Sequence, residues 1–402
     1  MPNFSRNRSG KAVGSTSTLA PRSNRISGGK SVQNNWAGVS TPNAPTSLSL
    51  SSVTTTAAII AFTAPTNNGG AAITNYAHST DGITFTALSP ADAITPVTIT
   101  GLSASTSYTL YLAAINEVGT GVSSSGLAVT TANPNPSSVD YLVIAGGAGG
   151  ARTNTNFVGA GGGGAGGMLT GSQAVSSSMS VIIGAGGAAQ GSPNTRGNSG
   201  TASTFVSFAP VGGGGGGAYS TSNGLSGGSG GGGAYSLGTG GAATSGQGNA
   251  GATQIGIGDG GGGGGKGSAG TGNGGNNGGA GGSGGASSVT GSSVTYAGGG
   301  GGTGAYGGTG GTAGSGGGGA GGQNADAGGA GTANTGGGGG AGGAYSAGSG
   351  NGGAGGKGVV IISYANTFAD PTIGGGLTYT RTTPSGLVVY TFTDGSDTIG
   401  WS

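Results

Sequence analysis

Glycine constrains this chain more than any other feature: it accounts for 109 of the 402 residues, most of them between residues 146 and 357. Runs such as 212–217, 260–265 and 336–340 have no side chains to bury, and glycine loses the most backbone freedom when it is ordered. Helix or strand periodicity therefore cannot be read from this stretch. Such a chain is either disordered or held by contacts between its own backbone segments.

Two features of the stretch favour an ordered structure. Apolar, β-branched segments interrupt the glycine at residues 181–183, 204–208, 294–296 and 359–362, and a solvated linker would not need them. Charged residues are rare, so self-repulsion does not keep the chain open. Glycine segments in the polyproline II conformation have three residues per turn and can hydrogen-bond side by side. The sequence therefore predicts a polyglycine II helix bundle, whereas the irregular glycine spacing and the scarcity of proline exclude collagen.

The first 42 residues predict an extended basic arm. All of its cations precede the first acidic residue, Asp81. Three interpretations stay open: a solvated tail, a peptide that docks on a partner subunit, and a nucleic-acid contact, which the absence of interleaved aromatic residues disfavours. The candidate docking residues are Arg6, Arg8, Lys11, Arg22, Arg25, Lys30 and Trp36.

The basic start is not followed by the apolar stretch of about 7–15 residues that a secretory signal peptide requires. No run of apolar residues reaches the length of a membrane span. We therefore expect assembly in a cytoplasm, with no signal peptide and no membrane segment.

From residue 43 to residue 132, short alternating segments are separated by turn residues. Seven such segments in about 90 residues predict a β-sandwich. The predicted strands are 48–50, 58–62, 73–79, 84–88, 97–100, 108–116 and 127–130.

This segment resembles a fibronectin type III domain. Pro45 matches the opening proline of the family, and Phe62 with Pro65 stands where the family has a tryptophan-x-x-proline strand. The most specific feature is the spacing from Leu102 to Tyr108, which is that of a tyrosine corner. The resemblance implies the sandwich fold, and we expect it to serve as a rigid spacer because the fold itself specifies no function.

A second domain begins with the apolar strand 139–145 and ends with the strand 355–364. These ends resemble the glycine-rich domains of bacteriophage tail and fibre proteins. They are more distantly similar to the glycine-rich region of anaplastic lymphoma kinase-type receptors, whose cysteines are missing here. The resemblance implies a compact β-base whose loops are expanded into polyglycine II helices.

The tail that follows, residues 366–402, also alternates as strands. An Asp-Gly pair, Asp394 and Gly395, predicts a turn between its last two strands. We expect the tail to complete the β-base, to pair with a neighbouring subunit or to dock on another protein.

A short tyrosine motif recurs within the glycine-rich stretch. Gly-Ala-Tyr occurs with the tyrosine at Tyr219, Tyr235, Tyr306 and Tyr345. These tyrosines either cover the outside of the bundle or sit at loop tips and stack on sugar rings, since tyrosine presents a large amphipathic face at low entropic cost. They are our candidate contacts for a glycan or another receptor.

Several classes of chemistry are excluded or disfavoured. The chain has no cysteine and one histidine, His78, which removes disulfides and thiol chemistry and disfavours a histidine-based centre. Residues 260–266 match a phosphate-binding loop except that Gly267 replaces the required Ser or Thr, and Gly256, Gly258 and Gly261 match a dinucleotide fingerprint as chance allows. Asp394 and Asp397 are close in sequence but fit a turn better than a catalytic pair. We expect no catalysis, no cofactor and no metal.

Together these features predict a mostly β fold: a fibronectin type III β-sandwich, then a glycine-rich β-base with an inserted polyglycine II helix bundle, behind an extended N-terminal arm. The predicted boundaries are 1–42 for the arm, 43–132 for the fibronectin-like domain, 139–365 for the glycine-rich domain and 366–402 for the tail.

The predicted function is that of a virion structural protein, a tail fibre or similar appendage. The arm would attach it to other virion proteins, and the glycine-rich module would contact a host-surface glycan or protein. A homo-oligomer is expected, a trimer by analogy with other fibres, with no membrane partner and no nucleic acid. The alternatives are a capsid decoration or head fibre, and a bacterial surface or matrix adhesin. A polysaccharide depolymerase would need a charged groove with paired carboxylates, and the scarcity of acidic residues after Asp140 disfavours it. Polyglycine ice-binding proteins would not need the arm or the sandwich.

Overall fold

The structure is a computed structural model and describes residues 38–154, 158–235, 237–255, 258–345 and 348–401, without the side chains of residues 344 and 345. Within these ranges the chain is all-β and contains no helix, so no described helix could cross a membrane. The candidate docking arm, from Arg6 to Trp36, lies outside the described residues.

Backbone contacts divide the described chain into two compact units. The first contains residues 38–48, Phe62–Thr95 and Tyr111–Gly126. The second contains Ser49–Ala61, Pro96–Leu110 and residues 127–401.

Eight strands form the two sheets of the fibronectin-like sandwich. One sheet has the order β1-β2-β5, and the other has β4-β3-β6-β7 with β8 also paired to β6. The strands are β1 (Thr46–Val53), β2 (Ala57–Thr63), β3 (Asn75–Ser79), β4 (Thr86–Ala87), β5 (Val97–Thr100), β6 (Ser107–Asn116), β7 (Gly119–Ser123) and β8 (Leu127–Thr130). All seven predicted strands are confirmed, and β7 is an eighth that the sequence did not indicate.

Period-two alternation builds the core of these sheets. In β2, Ala58, Ile60 and Phe62 are buried while the residues between them are partly exposed. Phe62, which replaces the family's tryptophan, packs edge to face on Tyr76 with ring centroids 4.6 Å apart. The tyrosine corner is present, since the Ser103 N–H donates to the Tyr108 hydroxyl at 2.9 Å.

The glycine-rich region is built on a third sheet, the base sheet, of order β10-β9-β17-β20-β11-β12, with β18 and β19 also paired to β20. Two further short hairpins, β13-β14 and β15-β16, lie in the glycine-rich stretch. The strands are β9 (Ser138–Ile144), β10 (Met168–Ala174), β11 (Met179–Ile182), β12 (Thr204–Phe205), β13 (Gly285–Ser287), β14 (Val294–Tyr296), β15 (Ala344–Tyr345), β16 (Gly348–Ser349), β17 (Val359–Ala365), β18 (Thr372–Ile373), β19 (Leu377–Thr382) and β20 (Leu387–Gly400).

Both faces of the base sheet are buried. Along β17, Val360, Ile362 and Tyr364 join one apolar cluster. The alternate residues Val359 and Ile361 join a second cluster, which includes Ala165, Met168, Tyr296 and Ala297 of the glycine-rich stretch. The glycine-rich stretch therefore packs against one face of the base sheet.

The tail completes the base sheet, which was one of the three roles left open for it. Strand β20 pairs with β17 and β19 through its first half and with β11 and β18 through its second half. The predicted turn at Asp394 and Gly395 is wrong, because β20 runs through both residues. The register against β19 shifts between Thr378 and Tyr379, leaving Thr393 as the extra residue of a β-bulge, which bends a strand without ending it.

The glycine segments between these strands form a hydrogen-bonded array. In residues 161–167 the donors repeat every three residues: Gly161, Gly164 and Gly167 donate to residues 217, 214 and 211, whereas Gly162 and Ala165 donate to residues 261 and 264, and Gly163 and Gly166 to residues 339 and 336. Each such segment is therefore tied to several others on different sides. We call the segments bonded in this way the glycine array.

The array leaves no room for side chains on its inner segments. A Cβ at Gly161, Gly163 or Gly166 would lie 2.0–2.2 Å from a backbone carbonyl oxygen of a neighbouring segment. Only glycine fits such a distance, because a backbone oxygen in a bonded segment cannot move aside. The predicted polyglycine II helix bundle is not supported by the secondary structure, since the described residues contain no helix; the hydrogen-bonded array stands in its place.

Candidate interaction surface at the loop end of the glycine array

The glycine array has two ends, which its hydrogen bonds define. At one end Ala145, next to the base strand β9, donates to Gly167, next to β10. Six residues further on, Ala151 donates to Gly161. The second end is therefore the one away from the base sheet, and we call it the loop end.

A small apolar layer closes the array at this end. Ala151, Ala160, Ala218 and Ala341 are completely buried and form one cluster. Ala218 is the alanine of the first Gly-Ala-Tyr motif. Position explains this copy of the motif: Gly217 belongs to the array, Ala218 to the closing layer, and Tyr219 to the loop beyond.

The structure brings three of the four predicted tyrosines to the loop end. The rings of Tyr219 and Tyr235 are in contact, with centroids 5.4 Å apart. Tyr306 lies against Gly258, and the backbone of the next two residues lies against Gly159. Gly159 in turn accepts a hydrogen bond from the Tyr235 N–H at 3.4 Å. Tyr345 lies on β15, but its side chain is outside the described residues.

Two exposed aliphatic residues that the sequence analysis missed lie in the same loops. Leu237 is 68% exposed and Ile255 is 67% exposed. Their loops are joined because the Gln254 N–H donates to the Gly238 carbonyl at 2.9 Å. Tyr219, Tyr235, Leu237, Ile255 and Tyr306 together are called the tip surface below. Leu237 and Ile255 are unremarkable in the sequence, and only the fold brings their loops to the same end as the three tyrosines.

The cations at this end hold loops rather than face outward as a charged patch. The Arg196 Nε donates to the Asn223 carbonyl at 2.9 Å, which fastens the loop that carries Tyr219. The Arg152 guanidinium donates to the Gly191 carbonyl and to the Ser349 hydroxyl. Contact with a partner at the tip surface would therefore depend on aromatic and apolar area more than on charge.

A buried carboxylic acid lies directly behind the tip surface. Asp259 is completely buried, and neither of its carboxylate oxygens has a hydrogen-bond partner among the described residues. It follows Gly258, which touches Tyr306, and its backbone lies against Gly159. Burial raises the pKa of Asp259 to about 6, because water no longer solvates its charged form.

Residues 260–265, which match a phosphate-binding loop, have no free backbone donors, whereas Gly256 of the dinucleotide-like match lies outside the described residues. The N–H groups of residues 260–265 donate to carbonyls of other glycine segments, for example Gly263 to Gly300 at 2.8 Å. The Lys266 ammonium donates to the Gly246 carbonyl at 2.6 Å. Backbone N–H groups that are already used in the array cannot cradle a phosphate.

The remaining candidate residues have structural surroundings. His78 lies on β3, its Nδ1 has no hydrogen-bond partner among the described residues, and burial lowers its pKa. Asp394 pairs with Lys357 at 2.6 Å, whereas Asp397 accepts from the Gly376 N–H at 2.9 Å. Within the described ranges no three His, Asp or Glu side chains come together as metal ligands would.

Comparison with known proteins identifies both regions. Residues 122–365 match the family model of a glycine-rich domain, and residues 43–130 match that of a fibronectin type III domain. No curated protein matches the chain. Among solved structures, the chain is similar to the crystal structure of domains A168-A170 from titin, with 25% identity and a TM-score of 0.21. That similarity covers 23% of this chain and 32% of the titin chain, so this chain spans about a third of the length of its solved relative.

Proposed function

Since the chain belongs to the family of proteins with a glycine-rich domain, and carries a fibronectin type III domain ahead of it, we propose that it is a virion structural protein whose tip surface attaches to a host. The two domains fit an extracellular or structural protein of the adhesion type. In the proposal, the protein is a tail fibre or similar appendage made in a host cytoplasm. Its first 42 residues dock on other virion proteins, and the fibronectin type III domain acts as a spacer.

The observation that carries the proposal is the collection of exposed rings and aliphatic side chains at the loop end. Tyr219 and Tyr306 are 44% and 52% exposed, and a ring that is partly exposed and held by a neighbouring ring loses little entropy on binding. The surface is nearly free of charge. These properties suit the faces of sugar rings, so a surface polysaccharide is the proposed ligand class, and a protein receptor is the alternative.

Binding of the full chain to intact host cells and to purified surface polysaccharide tests this proposal. The Tyr219→Ala/Tyr235→Ala double variant should lose at least about tenfold in affinity, because stacking on aromatic side chains contributes about 1 kcal/mol or more per ring. Tyr379→Ala is the matched control, since Tyr379 is an exposed tyrosine of the base sheet, 43% exposed, and should bind as the unaltered chain does. Equal binding by the double variant and the control would refute the tip surface as the attachment site.

The virion assignment needs a separate experiment. Antibodies against residues 43–130 should label appendages of purified particles in electron micrographs. Label on the capsid surface would instead support a capsid decoration or head fibre, and label on the cell surface without particles would support a bacterial adhesin. Sedimentation of the full chain reports whether it forms the trimer that fibres suggest.

We also propose that the glycine array is of the polyglycine II type. Support comes from the donors in residues 161–167, which return to the same neighbour every three residues, as a helix with three residues per turn requires. Their amides should then exchange as slowly as those of β17, although they belong to no strand. Fast exchange in residues 161–167 with slow exchange in β17 would contradict this.

A further inference from the structure

The completely buried Asp259 is the most unusual group in the glycine-rich domain. A carboxylic acid without a partner is tolerated in such a place when it is neutral, because its ionised form would lose its hydration without compensation. The surrounding backbone is packed too closely to rotate a hydrogen-bond donor toward the carboxyl group. A Cβ at Gly159 would lie 2.0 Å from the Asp259 carbonyl carbon, and one at Gly260 would lie 1.8 Å from the Ala160 oxygen.

The backbone around Asp259 also holds the tip surface. The Gly260 N–H donates to the Thr303 carbonyl, and Thr303 in turn donates to Ala160. Thr303 and Ala160 are bonded a second time, through the Thr303 hydroxyl, which accepts from the Ala160 N–H at 2.7 Å. Tyr306 lies three residues after Thr303, and the Tyr235 N–H donates to the Gly159 carbonyl. Any local opening that admits water to Asp259 therefore loosens the segments that carry these two tyrosines.

Among the residues that the structure describes, no charged group compensates Asp259. The described segments in contact with the backbone of residues 258–261 include 158–160, 233–235, 278–279 and 303–306. Tyr235 and Tyr306 are the only titratable residues in these four segments. Burial is the dominant cause of the raised pKa of Asp259, the residue's own backbone N–H opposes it in part, and no neighbouring charge contributes.

We propose that Asp259 is a proton-controlled latch of the tip surface: the neutral acid keeps the loop end closed, and ionisation opens it. This regulates the binding surface described above and rests on the proposed function only for its biological consequence. A chain that attaches through a closed tip surface would bind more tightly in weak acid than at neutral pH.

The direction of the pH dependence of closure, and the pH range over which it occurs, follow from the difference between two pKa values. The folded pKa, about 6, lies above the usual 3.8, so the closed state binds the proton more tightly than the open one. Closure is therefore strongest below about pH 4, weakens between about pH 4 and pH 6, and is constant above that. The opening equilibrium should rise roughly 10- to 100-fold across this window.

Amide exchange of the full chain, corrected for the intrinsic effect of pH, measures this opening. The corrected exchange rates of the Ala160, Gly260 and Thr303 amides should rise roughly 10- to 100-fold from pH 4 to pH 7. The Gly166 amide, at the base end of the array, is the internal reference, and its corrected rate should not change. Asp259→Asn should abolish the dependence, and Asp326→Asn, a change at an exposed aspartate, should retain it.

Either of two results overturns the latch: the same pH dependence in Asp259→Asn as in the unaltered chain, or no dependence in the unaltered chain. If Asp259→Asn fails to fold, the carboxyl carbon shift of Asp259 in the unaltered chain decides, and a titration midpoint below about pH 4.5 refutes the proposal. These measurements need no ligand, so they fail or succeed independently of the tyrosine variants.

Discussion

Single glycines of the array are fixed by distance rather than by backbone conformation. Gly163 donates to Gly339 and accepts from Gly300, and a Cβ there would lie 2.2 Å from the Ala148 oxygen and 2.7 Å from the Gly149 oxygen. Both obstacles are backbone atoms of bonded segments. A methyl group at this position must push whole segments apart.

We therefore expect Gly163→Ala to lower the free energy of unfolding by about 3 kcal/mol or more, at the upper end of overpacking effects. Gly274→Ala is the matched control, because nothing lies within 4 Å of a Cβ at Gly274, and it should change stability by less than about 0.5 kcal/mol. Chemical denaturation of the two variants measures the difference. Similar unfolding midpoints for both would show that the array yields to side chains.

Some residues of the loop end can be recognised in the sequence and others cannot. Tyr219, Tyr235 and Tyr306 could be singled out because a large ring recurs after Gly-Ala in a chain that has few rings. Leu237, Ile255 and Asp259 carry no such signal, because their importance lies in which segments the array places beside them. Exposure at the loop end and complete burial behind it are properties of the fold.

Strand β20 is the element that unites the base sheet, and one of its glycines has a left-handed backbone conformation. Gly395 has a φ of +97°, and a Cβ there would lie 1.9 Å from the Gly376 oxygen. It lies just beyond the bulge at Thr393, where the strand passes from β17 and β19 to β11 and β18. The same strand contributes Val388, Tyr390, Phe392 and Ile399 to the core.

Gly395→Ala should therefore cost about 3 kcal/mol or more, since it adds a backbone clash to the penalty of a left-handed conformation. Gly386 has a similar φ of +81° but nothing within 4 Å of its Cβ, so Gly386→Ala should show the conformational penalty alone, about 1–2 kcal/mol. Thermal unfolding of both variants separates the two costs. Equal losses would mean that the clash at Gly395 is relieved by a small shift of β19.

The elements that sequence predicts well are those with alternating side chains. β2 and β6 follow from period-two patterns, whereas β7 contains Gly119 and Gly121 and shows no pattern. The Asp-Gly pair in β20 is the usual hairpin signal, but here it follows a bulge, because strands on both sides of β20 already occupy its edges. Local turn chemistry cannot report such tertiary pairing.

The whole molecule is nearly uncharged, with 5% charged residues, and six of its eleven cations lie in the first 42 residues. Binding through the tip surface and binding through the arm should therefore respond differently to salt. Aromatic and apolar contacts are insensitive to screening by salt. Contacts of clustered cations with phosphates weaken steeply as the salt concentration rises, because the release of counterions then contributes less to binding. Salt dependence thus reports which end of the chain binds.

We expect the affinity of the full chain for host-surface polysaccharide to change by less than about threefold between about 50 and 500 mM NaCl. The Tyr219→Ala/Tyr235→Ala variant should be weaker at both salt concentrations by the same factor, because the lost contacts carry no charge. If the arm instead neutralises several phosphates, the affinity should fall about a hundredfold or more with salt. The two tyrosine substitutions should then not change that fall. That outcome would move the binding function from the glycine-rich domain to the N-terminal residues, and it would favour the nucleic-acid interpretation of the arm over docking on a partner subunit.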